Sequence, residues 1–225
     1  MNTGSSPVRS NNKLLTTIGW QIGDEVTYAL EGSVFIGGAV IQWLRDGLQL
    51  FDNAAESEEL ANSVTDSAGV VFVPALTGLG APHWDSSARG SIYGLTRGTN
   101  IAHLSRAALE SITFQVNDVL NTMAKDINRP VQELRVDGGA TSNNLLMQLQ
   151  ADISNIPVSR PTNLETTALG AAYLAGLAVG LWDLDVLKNQ WGEDKKFLPS
   201  VEDDKRDHLL KNWQKAIERT KNWLG

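Results

Sequence analysis

The chain contains no cysteine, which excludes disulfide scaffolding, thiolate catalysis and cysteine-ligated metal. Histidine is scarce, at three residues, so His83 and Asp85, two apart in a glycine-rich loop, are expected to anchor that loop by hydrogen bonding and are assigned no metal or acid-base role. Positive charge is outweighed: 19 Lys and Arg against 26 Asp and Glu leave a formal charge of −7. With no basic patch to offset it, neither nucleic acid nor an anionic membrane is expected as a partner. Long apolar runs are also missing. The uncharged stretch from Ala168 to Trp182 is shorter than the roughly 20 residues a membrane span needs, so it is expected to be a buried helix and not an inserted one. Residues 1–12, MNTGSSPVRSNN, lack the apolar core of a secretory signal and read as a flexible polar segment, which fits a cytoplasmic location. No internal repeat or low-complexity tract is present.

The 225 residues, 42% hydrophobic and 20% charged, are too apolar for a disordered chain and sufficient for a real core. Leu14 to Trp20 and Val26 to Gly32 predict an antiparallel strand pair. Phe35, Ala39, Ile41 and Leu44 predict a helix ending near Asp46, with Gly37 and Gly38 inside it as thin spots. Residues 52–69 read as a polar, helical connector, and Val70 to Val73 as a buried strand. A further strand runs over Gly90 to Thr96. Asn100 then caps a long helix from Ile101 to about Asp126 whose apolar stripe is Leu104, Ala108, Ile112, Val116, Val119 and Met123. Glu110, Gln115 and Asp118 are expected on its solvated side. Pro157 to Pro161, bracketed by prolines, reads as an edge strand. Glu202 to Leu224 reads as an amphipathic surface helix carrying Leu209, Trp213 and Ile217.

The most informative stretch is Val136-Asp137-Gly138-Gly139-Ala140-Thr141-Ser142-Asn143-Asn144. Leu134 to Val136 reads as a short strand, the glycines permit a turn closed to most residues, and Thr141 or Ser142 can cap a helix over Leu145 to Ile153. Such a strand, bare turn and helix N-terminus lets a flat or anionic ligand approach the main chain.

Alternation of strands and helices marks an α/β protein. Several segments, in order, resemble the FGGY carbohydrate kinases, and within them the branch that phosphorylates glycerol: Tyr28 to Asp46, Pro74 to Asp85, Tyr93 to Gly98, Val136 to Asn144, and Thr167 to Gly176. The resemblance implies a lobe of the RNase H-like, actin and hexokinase type, a mixed sheet flanked by helices. Two such lobes would enclose ATP, and this chain resembles the second. It implies residues 13–200 as the adenosine-side lobe, with residues 201–225 as a surface helix packed on it. Gly38, Gln42, Gly139 and Asn143 are implied as the ATP/ADP-binding residues, Mg²⁺ as arriving through the phosphates, and glycerol as held mainly by the first lobe. No catalytic or metal-binding residue is assigned within the chain. The Gly-Asp-Gln-Gln segment that carries the family's catalytic aspartate and the Gly-Thr-Gly phosphate hairpin are not found here, so the chain alone is expected to be inactive. Xylulose, ribulose or gluconate as the acceptor, and a non-catalytic nucleotide-binding module of the same fold, are the alternatives. An exposed sheet edge makes a homo-oligomer possible.

Overall fold

A computed structural model describes the backbone of residues 1–225 and the side chains of all but Lys188. Strands β2 (Leu15–Ile22) and β3 (Glu25–Glu31) form the expected antiparallel hairpin, with a register shift between Ile18 and Trp20. Residues 1–12 make contacts with the body. β1 (Asn2–Gly4) pairs with β3, and the Asp126 carboxylate accepts from Ser10 Oγ, the Asn11 amide and the Asn12 side chain. Helix α1 (Ala39–Asp46) begins after the Gly37-Gly38 pair. The glycines precede the helix and do not interrupt it, so they cost it no helical stability and leave its first turn open. The connector at 52–69 contains α2 (Glu56–Asn62) and leads to β4 (Val71–Val73), which pairs with β5 (Ser91–Tyr93).

Helix α3 (Ile101–Ile127), about 40 Å long at 1.5 Å per residue, is the central beam. Asn100 starts it with a reciprocal capping box shared with His103. The expected solvated side is confined to the C-terminal turns, where Asn121 and Lys125 are exposed, because α1, α2, β4 and α4 (Asn144–Ser154) pack around the rest of α3. Glu110 is buried and paired with Arg106 at 2.9 Å, and its burial pushes the carboxyl up despite that partner. Gln115 donates to the Ile36 carbonyl, and Asp118 accepts from the Trp213 indole at 2.8 Å. His83 meets the same Asp118 at 3.3 Å, which ties its loop to α3 as expected.

After α3 the chain forms β6 (Leu134–Arg135), β7 (Val158–Pro161) and β8 (Glu193–Phe197), in the order β6-β7-β8. β7 is therefore a central strand and not the expected edge. It runs parallel to β6 and antiparallel to β8, and the register slips where Pro161 enters the pairing. The mixed sheet falls in two separate three-stranded pieces plus the β4–β5 pair. Helix α5 (Thr166–Ala178) and the short α6 (Leu184–Lys188) follow β7. α5 is not buried: only Gly176 is enclosed, covered by Trp182 of the following turn, and Leu174 is 50% exposed. Helix α7 (Asp203–Thr220) lays Trp213, Ala216 and Ile217 into the core, with Trp213 stacked on Phe114 at 5.2 Å. No helix among the described residues is long and apolar enough to cross a membrane.

Candidate functional site: a cavity between two glycine turns

Two turns that lie a hundred residues apart in sequence face each other. At the first, Gly38 precedes α1, and the Val40 and Ile41 amides bond back to the Gly37 and Gly38 carbonyls. At the second, Gly138 holds a φ of +83°, which only glycine adopts without strain, and Gly139 to Ser142 form a 3₁₀ turn. A Cβ placed on Gly38 would stand 3.4 Å from the Ala140 Cβ, so the two turns are in near contact. Nothing lies within 4 Å of a Cβ placed on Gly139; that face opens into a cavity.

The cavity holds about 410 Å³, within the range of small-molecule sites. Gly38, Ile41 and Gln42 of the α1 segment form one wall, and Gly139, Ala140, Ser142 and Asn143 form the opposite one. Leu109 and Ile112 of α3 supply an apolar floor, while Ala54, Ala55, Ser57 and Glu58 close the side next to α2. Gly38, Gln42, Gly139 and Asn143, singled out in the sequence, thus line one space. The α2 wall was not foreseen, since a polar helical connector carries no local mark of what it will face.

Hydrogen bonds show how the second turn is held. Thr141 and Ser142 do not cap α4; their hydroxyls bond to the Gly138 and Gly139 carbonyls and close the 3₁₀ turn. The cap is Asn143, whose Oδ1 accepts from the Leu146 amide at 2.8 Å. That leaves the Asn143 side-chain NH₂ without a protein partner among the described residues, as is the whole Gln42 amide, and both line the cavity. Arg160 of β7 pins the turn from the sheet side, donating to the Thr141 and Ser142 carbonyls at 2.8 and 3.3 Å while pairing with Asp194. The sequence marks Arg160 only as a cation between two prolines, so its role could not be read there.

Charge corrects one expectation. The N-terminus of α4 is not free to receive an anion, because the Glu58 carboxylate already accepts the Leu145 amide at 3.0 Å. A carboxylate on first-turn amides offsets the positive end of the helix. The cavity therefore combines bare backbone, two spare side-chain amides, an apolar floor and one carboxylate. This set suits a flat, partly polar molecule with hydrogen-bonding edges.

The C-terminal domain of the FGGY family of carbohydrate kinases matches residues 1–179. The chain belongs to the FGGY family. It is 62% identical over 224 residues to a glycerol kinase of Parabacteroides distasonis, covering 99% of this chain and 45% of that relative. A glycerol kinase of Aromatoleum aromaticum is 56% identical over 226 residues, with 46% of that relative covered. The chain thus spans about half the length of the curated FGGY relatives it matches. Among solved structures, Plasmodium falciparum glycerol kinase with ADP superposes with a TM-score of 0.89 at 40% identity, covering 98% of this chain and 44% of that one. Gluconate kinase from Lactobacillus acidophilus superposes with a TM-score of 0.77 at 28% identity, covering 96% and 44%. The fold is the mixed α/β C-terminal lobe of FGGY kinases, as the sequence resemblance implied.

Proposed function

We propose that this chain is the nucleotide-side lobe of an ATP-dependent glycerol kinase, whose reaction converts ATP and glycerol to ADP and glycerol 3-phosphate. The observation that carries the reading is the convergence of Gly38, Gln42, Gly139 and Asn143 on one cavity. Bare backbone at the glycines admits the adenosine, and the spare amides of Gln42 and Asn143 meet its edges. Residues 13–200 form the lobe in this reading, residues 201–225 pack on it, and the enzyme is cytoplasmic. Identity favours glycerol over other acceptors: a glycerol kinase structure stands at 40%, against 28% and 27% for gluconate and xylulose kinases.

Phosphoryl transfer depends on positioning and on neutralising charge around the transferred group. This cavity offers no magnesium cage, since Glu58 is its one carboxylate and one of its two oxygens already accepts the Leu145 amide. In this reading the catalytic aspartate, the Mg²⁺ ligands and most of the glycerol site lie outside the chain, which is inactive by itself. What its own residues do is bind and orient ATP. The test is a coupled ADP-release assay with glycerol, xylulose and gluconate. The chain alone is expected to give no turnover, and addition of the amino-terminal half of a glycerol kinase relative is expected to give glycerol-dependent turnover abolished by Gly139→Val. Turnover by the chain alone, or reconstitution selective for xylulose or gluconate, would refute the assignment.

A further inference from the structure

Glu58 is the one charged side chain on the cavity wall and the one with a half-used head group. One carboxylate oxygen accepts the Leu145 amide at 3.0 Å. The other has no hydrogen-bond or ion-pair partner among the described residues, although the side chain is partly withdrawn from solvent and lines the cavity. No Lys or Arg lines the cavity to neutralise it. An ionised carboxylate can only accept hydrogen bonds. Placed on the first turn of α4, it also cancels the local field that would otherwise attract a phosphate. This part of the cavity therefore repels the anionic end of a nucleotide and rewards a neutral group that carries N–H or O–H donors.

Resting on the nucleotide reading above, we propose that Glu58 is a specificity-determining residue: its unpaired oxygen accepts a hydrogen bond from a donor of the nucleoside, which fixes the nucleoside at α2 and turns the phosphates away from α4. Two nucleoside groups have that chemistry, the exocyclic amine of adenine and the ribose hydroxyls. Asn143, two residues from the amide that Glu58 holds, supplies the complementary donor through its free NH₂. An acceptor and a donor thus line the same cavity, the two kinds of group needed to read a nucleobase edge or a sugar. A site built to hydrogen-bond a donor discriminates against the analogue that lacks it, because the buried acceptor is then left unpaired.

The experiment is titration of the full 225-residue chain with ADP, purine riboside 5′-diphosphate, which lacks the amine, and 2′-deoxy-ADP and 3′-deoxy-ADP, which each lack one hydroxyl. Wild type and the variants Glu58→Gln and Glu58→Ala are compared. Glutamine keeps an oxygen for the Leu145 amide, so its fold is retained, but it presents NH₂ where the free oxygen was. Wild type is expected to bind one analogue about tenfold more weakly than ADP. The analogue that loses affinity identifies the donor. In both variants that ratio is expected to fall to about one, whereas a residue that only braced α4 would weaken all ligands alike and leave the ratio unchanged. Equal binding of all four ligands by wild type, or a ratio that survives in Glu58→Ala, overturns the proposal while ADP binding itself leaves the nucleotide reading in place. Absence of ADP binding to folded wild type overturns both.

Discussion

Helices α4 and α5 are built alike and end differently. Each follows a parallel strand of the same sheet, β6 or β7, through a short turn, and each is rich in apolar residues. α4 is started by a side-chain cap, Asn143, and buries Leu146, Met147, Leu149, Ala151 and Ile153 against α3 and the sheet. α5 has no side-chain cap, encloses only Gly176, and leaves Leu174 and most of its alanines exposed. The contrast lies in direction and not in amount of hydrophobicity. In α4, apolar residues alternate with Asn144, Gln148 and Asp152, so the helix has an inside. In α5, small apolar residues surround the axis evenly, and such a sequence does not specify which face is covered. A helix with a definite inside can hold a binding turn at a fixed distance from its neighbours, and α4 does this for the Gly139 turn.

The widest separation between the two helices is expected in core stability. Leu149→Ala, inside α4, should destabilise by about 2–5 kcal/mol, while Leu174→Ala in α5 should stay within about 0.5 kcal/mol; urea denaturation of both variants measures the difference. Equal losses would mean that α5 is as integral to the fold as α4. Next comes the cap. Asn143→Ala should cost about 1 kcal/mol of stability through the lost Leu146 bond and also weaken nucleotide binding. Glu165→Ala, at the corresponding position of α5, makes no cap bond to lose and should change neither.

The smallest expected effect is a control that lies in neither helix. Asp85 receives hydrogen bonds from the Ser87 hydroxyl and the Asn222, Ser87 and Ala88 amides, which lower its carboxyl to about 2. Because the folded value lies below the ordinary aspartate value of about 3.9, this contribution to stability is fully present above pH ~4 and is lost as pH falls through ~2. Thermal melts of wild type and Asp85→Asn between those limits should converge toward the acid end. A gap that is constant with pH would show that Asp85 acts through packing alone.

Local signals in the sequence reached as far as local physics does. The Asn100 cap, the stripe of α3 and the β2–β3 hairpin follow from spacing and capping chemistry, and the structure shows each. The four site positions came from the family resemblance together with the thinness of glycine backbone, and the fold brings them to one cavity. Features set by distant partners were not legible. β8 is Glu-Asp-Lys-Lys-Phe, a poor strand former by composition, and it exists because β7 offers an open side; its charges then guard the new sheet edge. Asp118 is partly withdrawn from solvent because His83 and Trp213 arrive from elsewhere, and Glu110, although its partner Arg106 lies only four residues away, is enclosed by elements distant in sequence. Glu58 serves the cavity through one bond to main chain 87 residues away and Arg160 through two, 19 and 18 residues away, and no local pattern announces such bonds.

The claim on which the account rests is that the space over Gly139 receives a nucleotide. Valine at that position is tolerated by the protein itself, because nothing lies within 4 Å of the added Cβ and the backbone is not left-handed. Calorimetric titration with ADP of wild type and Gly139→Val, with circular dichroism to establish that both are folded, is therefore the most direct measurement. The account predicts weak binding by wild type, on the order of millimolar, and its loss in the variant. ADP binding of equal strength to a folded Gly139→Val protein would contradict it.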